Sequence, residues 1–128
     1  MLATTAQLIS AAEASGAGVA AFNVVTLEHA EAIVAGAERA GRPVILQISE
    51  NTVAFHLGHL APAAAAASAL AATASVPVAL HLDHVTDIAL LHAAPECGFG
   101  SAMFDASMLD YVDNVAVVEH REIGRAHV

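Results

Sequence analysis

The chain has 128 residues, 57% of them hydrophobic, and sets thirteen acidic side chains against four basic ones for a formal charge of −9. That length fits one domain or a piece of one, and the lack of a basic stripe argues against a nucleic-acid partner, although local donors or a metal could still hold a small anionic substrate. Cys97 is the only cysteine, so no intrachain disulfide can form, and MLATTAQLISAAEA lacks the basic start and apolar core of a signal peptide.

A reducing cytoplasm is the expected compartment. The most apolar stretch, 61–74, is mostly alanine and contains Pro62, Ser68 and Thr73. It falls short of the ~20 strongly apolar residues a membrane span needs, so no membrane partner is expected.

In chain order, TTAQLISAAEASG reads as a leading helix and GVAAFNV (18–24) as a first strand. TLEHAEAIVAGAERAG follows, with Leu27, Ala30, Ile33, Val34 and Ala37 at helical spacing, Thr26 placed to cap the start and Gly41 to end it. PVILQIS (43–49) is a second strand, LGHLAPAAAAASALAATAS a helix, and PVALHLD (77–83) a third strand. TDIALLHAAPECG forms a helix that stops near Ala94, ahead of Pro95, and GSAMFD (100–105) is a fourth strand. Strands alternating with helices at this interval imply βαβ units and a parallel sheet.

Side chains alternate along a strand. Val44, Leu46 and Ile48 therefore share one face, as do Val78, Leu80 and Leu82, and these faces should meet the helices. The opposite faces carry Gln47 and Ser49, His81 and Asp83, Ser101 and Asp105, with Asn23 ending the first strand. Polar groups thus collect on one side at the C-terminal ends of all four strands. A (β/α) barrel places its working groups there. A doubly wound sheet also binds ligands at that edge, usually through a glycine-rich first turn, which FNVVTLEHA lacks. A whole barrel takes about 250 residues, so the expected fold is α/β, a (β/α)8 TIM barrel of which this chain is the first four β/α units.

Within HLDHV (81–85), Asp83 can shuttle protons and His84 can ligate Zn²⁺. Spacing alone gives equal weight to Asp83 capping a turn and His84 being a solvated loop residue. His81 reads as a core histidine bonded to a neighbour at least as readily as a ligand. Asp105, Ser49 and Asn23 could bind metal, phosphate or hydroxyl groups, but such residues also cap turns and helices. His29, His56, His59 and His92 share no common spacing and read as surface residues.

With HLDH closing the third strand, the chain resembles the class II, metal-dependent fructose-bisphosphate and tagatose-bisphosphate aldolases. The likeness runs through AFNVVTLEHAEAIVAGAERAGRPVILQISE, SVPVALHLDHVTD and GFGSAMFDASMLDYVDNVAVV, over roughly residues 4 to 119. The resemblance implies that Asp83 is the acid/base of C–C cleavage, His84 the first zinc ligand, and Asp105 an acidic residue at an accessory metal position. It further implies that Ser49 contacts the phosphorylated aldehyde portion of the substrate. Asn23, from its place at the mouth rather than from the resemblance, is a second candidate substrate contact. Zn²⁺ is the implied cofactor, with room for a second divalent or monovalent cation. A sugar bisphosphate is the implied substrate, and a homo-oligomer the implied state of the full-length protein.

Val85 stands where the family often has glycine, and Glu50–Asn51 where a Glu-Gly pair is common, so Asn51 replaces the glycine. The family's second half barrel, with two further zinc histidines, is not present in this sequence, so the chain alone is expected to be inactive. Residues 1–120 are expected to form the N-terminal half of the aldolase domain. EIGRAHV resembles a translated sequencing adapter, making 121–128, with His127, an expected non-native tail. Two rivals stay open: a metal-dependent barrel hydrolase using His81 and His84 together, and a non-catalytic half-barrel module.

Overall fold

A computed structural model describes residues 1–119, so the expected tail at 121–128 lies outside the described residues. Six helices and four strands alternate along it: α1 (Thr5–Ala14), β1 (Ala20–Asn23), α2 (Leu27–Ala40), β2 (Val44–Ser49), α3 (Glu50–Phe55), α4 (Leu60–Thr73), β3 (Val78–Val85), α5 (Ile88–Ala93), β4 (Ser101–Phe104) and α6 (Tyr111–Glu119). The strands form one parallel sheet in the order β1-β2-β3-β4. Each strand lies beside its sequence neighbour with no reversal of order, as in an arc of a barrel; a doubly wound sheet turns back at a switch point.

The two faces of the sheet are packed differently. Val44, Leu46, Ile48, Val78, Leu80 and Leu82 are buried on the outer face in one core with Ala30, Val34 and Ala37 of α2 and Ala64, Ala67 and Ala71 of α4. The expected helix-facing positions are therefore the core positions. Pro62 fits inside α4 because it occupies the first turn, where a backbone N–H has no intrahelical acceptor. Gly41 ends α2 in a left-handed conformation, φ 61°.

The inner face is closed from below by α1. Leu8 packs on Ile45 and Ala79, with Ala3 and Val19 alongside. Thr4 and Gln7 start this helix with a reciprocal capping box, and the residues before it bridge to β3 through Ala3 N–H to the Val78 carbonyl. Above this floor the inward side chains become polar, with Gln47, His81 and Ser101 aligned by register and Ser49 beside Asp83 one step higher.

Three sequence expectations need correction. Thr26 stands at the N-cap of α2 but makes no side-chain capping bond. The segment between β2 and β3 holds two helices, because Ser49 accepts from Thr52 N–H and starts the short α3 directly from the strand end. β3 also runs on to Val85, two residues past Asp83. Among the described residues, no helix is long and apolar enough to cross a membrane.

Candidate active site

The extension of β3 is irregular. Leu82 pairs with Ala102 and Val85 with Phe104, so β3 spends three steps where β4 spends two. The extra residue is a β-bulge, and His84 within it has φ 50°. Leu82 and Val85 are both 0% exposed in the outer core. The two residues between them are left off that face, and regular alternation would have sent one of them into it. The bulge thus sets Asp83 and His84 together at the C-terminal mouth of the sheet.

Their surroundings differ. Asp83 is 7% exposed, with His81 Nε2 at 3.7 Å from Oδ1. His84 is exposed, and its Nδ1 lies 3.3 Å from Asp105 Oδ2. Asp105 follows the end of β4 and accepts from Ser107 N–H at 2.9 Å. Bonds from the Ser107 hydroxyl and backbone N–H, then from His84, hold the Asp105 carboxyl down at about 2. It is therefore an anion at neutral pH, suited to orient the exposed imidazole of His84.

His81, which sequence reasoning set between core residue and ligand, is half-buried with Nδ1 2.7 Å from Ser101 Oγ. Burial pushes its pKa down, against the opposing pull of Asp83. Both ring nitrogens face protein groups, so His81 is not presented to a metal jointly with His84.

Ser49 lies in register with Asp83, but its hydroxyl is engaged with Thr52, the local capping role weighed from sequence. Asn23 is exposed at the end of β1, in register with Gln47. The structure therefore brings Asp83, His84 and Asp105 together, keeps Ser49 adjacent, and leaves Asn23 two strands away from β3.

Other residues near the mouth were missed. Glu50 accepts from Thr86 N–H and Asp87 N–H, and from the Thr86 hydroxyl, tying the start of α3 to the loop after β3. These bonds, led by that from Thr86 N–H, draw its pKa down. Its position directly after the strand-ending Ser49 was the available signal. His56, read as a surface residue, is half-buried with Nε2 2.6 Å from the Val25 carbonyl, and His29 Nδ1 accepts from Val25 N–H at 3.3 Å. Together they hold the loop between β1 and α2. His59 and His92 are exposed, as expected.

A family profile, Fructose-bisphosphate aldolase class-II, matches residues 3–123. The chain belongs to the class II fructose-bisphosphate aldolase family. It is 38% identical over 127 residues to a fructose-bisphosphate aldolase of Thermus caldophilus, covering 99% of this chain and 40% of that relative. A 6-phospho-5-dehydro-2-deoxy-D-gluconate aldolase of Shouchella clausii is 36% identical over 112 residues, 86% of this chain and 38% of the relative. Among solved structures, an aldolase from Escherichia coli K12 superposes with TM-score 0.82 at 28% identity, covering 94% of this chain and 45% of that one. The chain thus spans about two fifths of the curated aldolases it matches, and its fold is the first half of their barrel.

The donor set bears on the family's metal. His84 carries chemistry that fits a metal ion: an exposed imidazole with one nitrogen beside a carboxylate and the other unengaged among the described residues. No group of three His, Cys, Asp or Glu able to hold an ion occurs among the described residues. His84 thus offers a single donor that fits a metal ion, not a complete set, among the described residues.

Proposed function

We propose that this chain carries the acid/base and the first metal ligand of a zinc-dependent aldolase that reversibly cleaves a ketose bisphosphate, fructose 1,6-bisphosphate or tagatose 1,6-bisphosphate. The observation that carries this reading is the bulge in β3, which sets a buried carboxylate beside an exposed imidazole at the barrel mouth. The products are dihydroxyacetone phosphate and glyceraldehyde 3-phosphate. Relatives named for other phosphorylated sugars supply the alternative substrates of the same class.

In the cleavage direction Asp83 takes the hydroxyl proton from the carbon that becomes the aldehyde. The electron pair of the breaking C–C bond passes to the ketone fragment, which takes up a proton from solvent to become dihydroxyacetone phosphate while Asp83 releases its proton to solvent. In the reverse direction Asp83 returns a proton to the newly formed hydroxyl. His84 would be one of the residues that hold a zinc ion, which when bound would supply Lewis-acid stabilisation of the charge that develops on the ketone side. Asp105 orients the His84 ring, and its fixed negative charge also suits an accessory cation. Ser49, one strand from Asp83, would contact the aldehyde portion once its hydroxyl gives up the bond to Thr52, and Asn23, at the end of β1, would be a second substrate contact. No lysine is present in the sequence to form a Schiff base.

Catalytic zinc sites commonly use three protein ligands, and the described residues offer one imidazole at the mouth. The 128-residue chain alone is therefore expected to be inactive. The test is zinc-dependent cleavage of fructose 1,6-bisphosphate by this chain and by a form extended with the downstream sequence of its source DNA. Activity in the extended form alone, abolished by EDTA and lowered about 10²–10⁴-fold by Asp83→Ala, is the expected result. Failure of the extended form to cleave either ketose bisphosphate, or full activity without Asp83, would overturn the reading.

A further inference from the structure

Two short hydroxyl contacts lie beneath Asp83. Thr5 Oγ1, on the helix that closes the barrel floor, is 2.6 Å from Ser101 Oγ, and Ser101 Oγ is 2.7 Å from His81 Nδ1. On the other side of the ring, Nε2 is 3.7 Å from Asp83 Oδ1. Four side chains thus run in series from α1 through β4 and β3 to the proposed acid/base. Thr5 and Asp83 are themselves buried, and His81 and Ser101 half-buried.

The direction of donation follows from what each group can offer. A proton on Nδ1 would send donation outward, from His81 to Ser101 and from Ser101 to Thr5. The Thr5 hydroxyl hydrogen would then lack an acceptor among the described residues, and the lone pair of Nε2 would face the Asp83 carboxylate. The opposite order leaves neither hydroxyl hydrogen without an acceptor. Thr5 donates to Ser101, Ser101 donates to Nδ1, and Nε2–H is left on the side of Asp83 Oδ1, 3.7 Å away, a charge contact longer than a hydrogen bond. Burial favours the uncharged ring in which this choice of tautomer matters.

We infer that His81 is a positioning residue for Asp83: Ser101, backed by Thr5, holds the ring as its Nε2–H tautomer, and that N–H fixes the rotamer of the carboxylate. The importance for catalysis rests on the aldolase reading, because a base works only when its oxygen is held within reach of the proton. The tautomer and the rotamer do not rest on it.

The test uses the 128-residue chain without metal. Long-range ¹H–¹⁵N correlation at neutral pH should show a protonated Nε2 and a pyridine-type Nδ1 for His81, and three-bond couplings should show Asp83 in a single χ1 rotamer. Ser101→Ala should move the Nδ1 resonance toward that of an unbonded pyridine-type nitrogen. His81→Phe should leave Asp83 averaging between rotamers, and His81→Gln, which retains an N–H donor, should restore one. A protonated Nδ1 in the unsubstituted chain would overturn the inference, as would an Asp83 rotamer indifferent to His81→Phe. The readings on the unsubstituted chain need no variant to fold, and none of the measurements depends on turnover.

Discussion

Replacing Leu46 by alanine probes the packing that holds the four strands in an arc. The side chain is 0% exposed on β2, between β1 and β3, with α2 and α4 both packed on that strand. Removing three carbons forfeits about 2.4 kcal/mol of transfer free energy at ~0.8 kcal/mol per methylene. A cavity term adds to this, because the two helices bring Ala30, Ala37, Ala64, Ala67 and Ala71 to the same core. Alanine has no rotamer that could extend into a void. The expected loss is about 4 kcal/mol, in the upper part of the ~2–5 kcal/mol range for buried leucine truncation. With a urea slope of ~2 kcal/mol per molar, the midpoint of unfolding followed by far-ultraviolet circular dichroism should fall by roughly 2 M at unchanged slope. A fall of less than ~0.5 M at that slope, about 1 kcal/mol, would show that the alanine-lined helices close over the gap and would refute the reasoning.

Gly41→Ala should cost about 1 kcal/mol, read as a lowered thermal midpoint: a Cβ there meets no atom within 4 Å, so only the φ of +61° penalises it. Glu50→Gln should accelerate amide exchange at Thr86 and Asp87 and cost ~1 kcal/mol at neutral pH, a modest figure because the bonds are exposed. The folded-state pKa of Glu50 lies below its unfolded value, so its contribution is complete above the unfolded pKa and disappears as pH falls through the folded one. The gap between the two proteins should accordingly close in acid, and a gap that widened there would contradict the assignment. Asp105→Ala in the extended protein should weaken zinc binding about 10–100-fold by calorimetry, since His84 would lose the carboxylate that orients its ring.

The parallel sheet was legible because its outer face repeats apolar residues at period two while the intervening segments repeat them at helical spacing. Val44, Leu46, Ile48, Val78, Leu80 and Leu82 carried that signal without interruption, and all are buried in one core. α3 was not legible: ENTVAF is too short for periodicity to register, and it forms because Ser49 can cap it directly from the end of β2. The bulge was hidden for a different reason. Strand alternation predicts one inward residue at a time, and nothing in HLDHV announces that β4 will take two steps where β3 takes three. The contacts of His81 with Ser101 and of Glu50 with Thr86 join residues 20 and 36 positions apart, and only the closed register brings them together.

The bulge also makes position 84 difficult to interrogate by the usual substitution. Conformation and chemistry are superimposed there: the backbone stands at φ 50° while the side chain supplies the imidazole. His84→Ala removes the ring and at the same time places in the left-handed region a residue that lacks a polar group to bond locally. Its phenotype would mix a lost imidazole with a remodelled loop, and could displace the neighbouring Asp83. Asparagine tolerates that region better, and glycine adopts it freely. His84→Asn and His84→Gly lose the ring with little or no backbone penalty, so the difference between either of them and His84→Ala separates the remodelled loop from the lost imidazole.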